Sequence, residues 1–165
     1  MSGMLALRYV ALLTLVIWVG GLLALGGIAA PATFDALGAH QIADGRLLAG
    51  AVVGEMLRRF ELVSYGAGGL LLLTLITRRI LGPRPHRFAW RFGIAMVMLM
   101  ASAYAGRVVT ARIHQLQREI GVPPSTLPEA DPRRIAFGRL HGLSTSLQLV
   151  PLLGGLVLMY WEIKE

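Results

Sequence analysis

Apolar residues fall into four long runs, and most of the charges lie between them. A helix that crosses a bilayer needs about 20 predominantly apolar residues. Residues 9–30 meet that length with no charge inside. Residues 60–80, 88–106 and 135–161 are the other three runs. The pattern predicts an all-α membrane four-helix bundle, in one domain spanning residues 1–165. Residues 9–30 exceed the ~7–15 apolar residues of a signal peptide, so they read as a retained helix. Pro31 is expected to end it, because proline cannot continue the hydrogen-bond ladder.

The second and third helices are expected to be longer than their apolar windows. Asp44 suits an N-cap, and "GRLLAGAVVGEMLRRF" continues from it at helical spacing. A helix from Leu47 to Ile80 would be about 51 Å long, against ~40–45 Å for a bilayer with its headgroups. It therefore either projects beyond the membrane or breaks near Gly54. After the third run, Val109, Ile113, Leu116 and Ile120 keep helical spacing while Arg107, His114 and Arg118 share another face. "GVPPSTLPEADP", with four prolines, then stops the helix. Small residues permit close helix packing in lipid. Gly20, Ala24 and Gly27 on the first helix, and Gly50, Gly54 and Gly66 on the second, are the expected contact faces.

Composition strengthens this reading. Apolar residues make up 55% of the chain and charged residues 15%, which is too greasy for a small soluble fold. The net charge of +7 comes from fifteen arginines and one lysine against nine acids. Because the arginines flank apolar runs, topology and headgroup contact explain them, and nucleic acid is not expected as a partner. The link "RRILGPRPHRFAWR" has five arginines and no acid. By the positive-inside rule it is cytoplasmic, and so are both termini, in a bacterial-type inner or plasma membrane. Residues 107–139 narrow that bias, with six arginines against three acids. Trp90, Tyr160 and Trp161 suit an interfacial belt, and His86 reads as interfacial too. The absence of cysteine excludes disulfides, thiolate metal sites and cysteine nucleophiles.

Charged groups at membrane depth usually face the bundle interior or a wet cavity. An antiparallel bundle brings together the start of the second helix, the end of the third and the start of the fourth. Those ends carry Glu55, Arg58, Arg59 and Glu61; Arg107, Arg112 and His114; and Arg139 and His141. Glu55 and Arg59 stand at i,i+4, an ion-pair spacing that is most often only a surface device. His141, Thr145 and Gln148 make a polar stripe with Ser144 beside it. Such a stripe serves either as interhelical glue or as a ligand contact. The candidate ligand or ion residues are therefore His141, Arg139, Ser144, Gln148, Glu55, Arg59, Arg107 and His114. His114, His141 and Glu55 are the right residue types for a metal, but their spacing matches no metal signature. His40 reads as loop. Met96, Met98 and Met100 read as apolar filling, since Met98 points away from the other two. "GAGG" lies within a spanning run and lacks the lysine of a phosphate loop. No Ser-His-Asp arrangement occurs at recognisable spacing, so no enzymatic activity is expected, and no motif identifies a cofactor.

"FGRLHGLSTSLQLVPLLGGLVLMYWEI" resembles the C-terminal helix of the transmembrane protein 205-like family. The likeness falls on Phe137, Arg139, His141, Gly142, Leu143, Ser144, Gln148, Glu162 and Ile163. "IWVGGLLALGGIAAPATF" and "AYAGRVVTARIHQLQREIG" are similar to that family's first and third helices. The resemblance implies a four-helix integral membrane protein and no catalytic residue. One animal member is associated with resistance to platinum drugs. Three functions follow as expectations: transport of, or resistance to, a metal or small solute; an accessory or scaffolding subunit of a larger membrane complex; and a haem-binding redox bundle using His114 and His141.

Overall fold

The computed structural model describes residues 2–39, 45–82 and 85–164. Those residues form four long helical rods, each apolar and long enough to cross a membrane. The first is α1 (Ser2–Ala24), a π-helical turn (Leu25–Ala29) and α2 (Ala30–Ala39). The second is α3 (Gly45–Leu81). The third is α4 (Phe88–Tyr104), a second π-helical turn (Ala105–Thr110) and α5 (Ala111–Ile120). The fourth is α6 (Pro132–Lys164). The proposed cap Asp44 and the loop residue His40 lie outside the described residues.

Pro31 does not end the first helix. The chain continues to Ala39 because the ladder widens just before the proline. A proline ring clashes with the carbonyl four residues earlier, here that of Gly27. The π turn at Leu25–Ala29 displaces that carbonyl, with the Ala30 N–H donating five residues back to Leu25. The Thr33 hydroxyl then donates to the Ala29 carbonyl at 2.7 Å. Nor does α3 break at Gly54; its 37 residues give a rod of about 55 Å, longer than the bilayer.

The rods alternate in direction, and the packing runs round a ring: α1 on α3, α3 on α4, α4 on α6, and α6 on α1. Trp18, Leu15, Leu71, Leu75, Met98 and Leu158 fill the centre of that ring. Beyond the π turns the main backbone packing changes to two pairs, α2 on α3 and α5 on α6. The bundle is thus closed where the termini lie and splayed at the other end.

The close approaches are made by glycines other than most of those expected. A side chain at Gly68 would meet Leu99 and Trp18, and one at Gly155 would meet Val19. Gly21 lies under the Phe60 ring. Gly20, Gly27, Gly50 and Gly66 have no such neighbour within 4 Å, so the face carrying Gly20, Ala24 and Gly27 is not a contact face within the chain. Of the expected set, Gly54 does meet another rod, at His114. Glycine spacing marks a smooth helix face, but the core decides which face turns inward.

A buried ion cluster locks the closed end. The Glu162 carboxylate of α6 accepts hydrogen bonds from Arg78 Nη1 of α3 at 2.7 and 2.9 Å, and from Arg91 Nη1 of α4 at 2.6 Å. All three side chains are at most 3% exposed. Arg91 Nη2 also donates to the Trp161 carbonyl, and Arg8 Nη2 of α1 donates to the Glu162 carbonyl. One residue of α6 thereby ties all four rods together. Removing one partner of a buried ion cluster leaves the others uncompensated, a loss of about 3–5 kcal/mol. Glu162→Gln is therefore expected to destabilise the detergent-solubilised protein by that amount, measured by equilibrium unfolding. Glu162→Gln combined with Arg78→Met and Arg91→Met should recover much of the loss.

Candidate functional site

The splay between the α2–α3 pair and the α5–α6 pair leaves a cleft of about 400 Å³. Its walls are largely apolar, with Leu22, Leu25, Phe34, Leu57, Phe60 and Phe137 among them. Polar groups reach it from three of the four rods: Glu61 and Ser64 from α3, Ser102 from α4, His114 and Gln117 from α5, and His141, Ser144, Thr145 and Gln148 from α6. Buried Pro151 and Ser64 lie at its inner end.

Backbone irregularities gather around the same space. Leu25 and Gly26 of the first π turn line the cleft, as do Ala105, Gly106 and Thr110 of the second. Single π turns inside α-helices are rare and frequent at functional sites. Thr110 Oγ1 donates to the Ala105 carbonyl at 3.0 Å, an i−5 partner that suits the widened turn. Pro151 removes one further ladder bond, that to the Leu147 carbonyl, and both residues line the cleft.

Two contacts cross the cleft. The Glu61 carboxylate lies directly against Gly106, filling the space a side chain there would need. The His114 ring lies against Gly54, 3.6 Å from where a Cβ would stand. Gly106 lets an α3 side chain meet the third rod, and Gly54 lets an α5 side chain meet the second, while the helices diverge.

The residues expected from sequence divide into two groups. His141, Ser144, Gln148 and His114 line the cleft, and His141 stacks on Phe137 with ring centroids 6.1 Å apart. Glu55, Arg59, Arg107 and Arg139 do not line it. Glu55 accepts from Arg58 at 2.7 and 2.8 Å and from Arg59 at 2.8 Å, an exposed clamp within one helix. Arg107 is exposed and lies 5.6 Å from the centroid of the Tyr65 ring. Arg139 is exposed on α6. Among the described residues, no three His, Asp or Glu side chains gather closely enough for a metal. The suggested set of His114, His141 and Glu55 is therefore not assembled.

Glu61, Ser64, Ser102 and Gln117 line the cleft in addition to the residues expected from sequence. Glu61 carried a usable signal, being an acid at the edge of an apolar run. The serines carried none, since small hydroxyl residues are common throughout membrane helices.

Residues 13–121 match the family model described as a domain of unknown function, DUF4149. The chain belongs to that family. The DUF4149 match takes in the first rod from the middle of α1 and all of the second and third, with both π turns and the α3 and α5 walls of the cleft. It ends before α6, so the α6 wall of the cleft lies outside it. No curated protein and no solved structure matches the chain.

The wall supplied by α6 is held at its start by Asp131. Its Oδ1 accepts the Arg133 backbone N–H at 2.8 Å, and the Arg133 guanidinium bonds both carboxylate oxygens. The Arg133 side chain, then the backbone bond, hold the Asp131 carboxyl below its ordinary range. A lowered folded value means that this contribution is complete above about pH 4 and is lost as pH falls through the folded value. Amide protection of residues 133–135, corrected for intrinsic exchange, should fall over that acid range, and Asp131→Ala should abolish the dependence. Gly106→Ala should lower unfolding stability by displacing Glu61. Adding Glu61→Ala should relieve part of that loss, a coupling of about 0.5 kcal/mol or more in a double-mutant cycle.

Proposed function

We propose that the cleft binds a small amphipathic solute, and that the protein acts in its transport or in resistance to it without transforming it chemically. One observation carries this reading: hydrogen-bonding groups from three rods converge on a single apolar-walled space bordered by both π turns. Structural glue would close such a stripe against a neighbouring helix. Here the stripe borders open space, and recurring sites for small molecules combine apolar walls with a few placed polar groups. The resemblance of residues 137–163 to transmembrane protein 205-like proteins supports the same direction. We place the arginine-rich link and both termini in the cytoplasm of a bacterial-type inner membrane, on the strength of the positive-inside rule. The cleft then opens away from the cytoplasm.

Outward-facing Gly20, Gly66 and Gly69 favour a second reading, that of an accessory subunit. They leave smooth strips with nothing packed within 4 Å, suited to another membrane helix. Gentle extraction followed by native mass spectrometry should then recover a defined complex, and a monomer alone would count against it.

The absence of cysteine makes a direct test of the first reading simple. Single variants Ser144→Cys and Gln148→Cys in membrane vesicles should react with an impermeant maleimide from the non-cytoplasmic side. Ala95→Cys, in the core, should stay unlabelled until denaturation. If Ser144→Cys and Gln148→Cys resist labelling from either side as Ala95→Cys does, the cleft is not an aqueous-accessible site and the proposal fails.

A further inference from the structure

At the closed end, opposite the cleft, a recess of about 430 Å³ opens between the start of α4 and the end of α6. It is lined by His86, Arg87, Arg91, Tyr160, Trp161 and Lys164, with no carboxylate among these residues. Two aromatic rings hold two of its cations in place. The Arg87 guanidinium lies over Trp161, 5.7 Å from the ring centroid, and Lys164 Nζ lies 5.7 Å from that of Tyr160. Arg91 forms a fixed wall; it is 2% exposed and tied to Glu162 and the Trp161 carbonyl.

The backbone contributes to this arrangement. Arg87 has φ 56°, the single positive φ at a non-glycine residue among those described. Such a conformation is uncommon outside glycine, asparagine and aspartate. Here it forms the corner that leads into α4 and accompanies the stacking of Arg87 on Trp161.

The recess also lies at a chemically defined depth. Trp90 is 70% exposed and Tyr160 58% exposed at the same end of the bundle, where such residues mark the headgroup region. Basic pockets between spanning helices at that depth suit anionic headgroups, which juxtamembrane arginines and lysines attract. Arg87 supplies a planar donor fork and Lys164 a compact charge, the two forms in which proteins bind phosphate oxygens.

We propose that this recess is a binding site for a phosphate group, presented by an anionic lipid headgroup at the surface that bears the termini. It is separate from the cleft and does not depend on what the cleft binds.

The test uses native mass spectrometry of the full chain in detergent with added phosphatidylglycerol or phosphatidylcholine, and with glycerol 3-phosphate as soluble competitor. Phosphatidylglycerol should be retained in preference to phosphatidylcholine. Arg87→Gln and Lys164→Gln should each weaken that retention about fivefold, the effect of one surface cation on an anionic lipid. Arg118→Gln, at the opposite end, should leave retention unchanged. Displacement of the lipid by millimolar glycerol 3-phosphate would support recognition of the phosphate itself, whereas binding of glycerol 3-phosphate without preferential retention of phosphatidylglycerol would assign the site to a soluble source and overturn the lipid assignment. Equal retention of the two lipids by the unaltered protein would overturn the proposal, and that comparison needs no variant to fold. A loss with Arg118→Gln as large as with Arg87→Gln would overturn it too, because net charge alone would then account for binding.

Discussion

A carboxylate surrounded by guanidinium groups organises this bundle. In lipid, apolar surface gives little preference for one helix neighbour over another, because hydrocarbon tails are as apolar as leucine. A charge buried there has no such freedom and must find its partner. Glu162 meets Arg78 and Arg91 at 2.6–2.9 Å, and Arg8 closes on its backbone carbonyl. The apolar ring around Trp18 and Met98 admits several rotations of each helix in principle. With Glu162 fixed, α3, α4 and α6 can turn only one way, and the core fills accordingly.

That lock explains why the two ends differ. At the closed end, ion pairs and the glycines at Gly68 and Gly155 draw the rods together. Toward the other end the rods outrun the core, and each π turn marks the level at which its rod leaves the ring. Both turns border the resulting cleft. In the first rod the widening accommodates Pro31; in the third it is accompanied by the Thr110 bond to Ala105. The opening is therefore built into helix geometry rather than into a loop, and polar groups from four helices stand around it at fixed positions. The basic recess follows from the same lock, since Arg91 joins the two: it holds Glu162 on one side and walls the recess on the other.

Much of the fold was legible in the sequence. Apolar windows of spanning length identified all four rods, and helical periodicity carried the second and third beyond those windows. Four of the eight residues expected from sequence line the cleft. His141, Ser144 and Gln148 share a helix face whatever surrounds them, and His114 lies on the amphipathic extension. The remainder was not legible, for distinct reasons. Glu55 and Arg59 have a suggestive spacing, but Arg58 completes an exposed clamp that occupies the carboxylate. Arg78 and Arg91 sat inside an arginine-rich link, where the positive-inside rule explains every arginine equally well and conceals the two that are buried. Glu162 sat among terminal residues that read as interfacial.

The sequence by itself determined what is periodic and local: the class of the fold, the four rods, the polar stripe on the last of them and the basic character of one end. These depend on hydrophobicity and on 3.6-residue spacing, both carried by neighbouring residues. Tertiary structure alone decided which charges are buried, which glycines touch a neighbour, that Pro31 is bypassed and that Glu61 faces Gly106. Each of those depends on the rotation and separation of helices far apart in the chain. That rotation is set by contacts such as Glu162 with Arg78, 84 residues away, which no local pattern encodes.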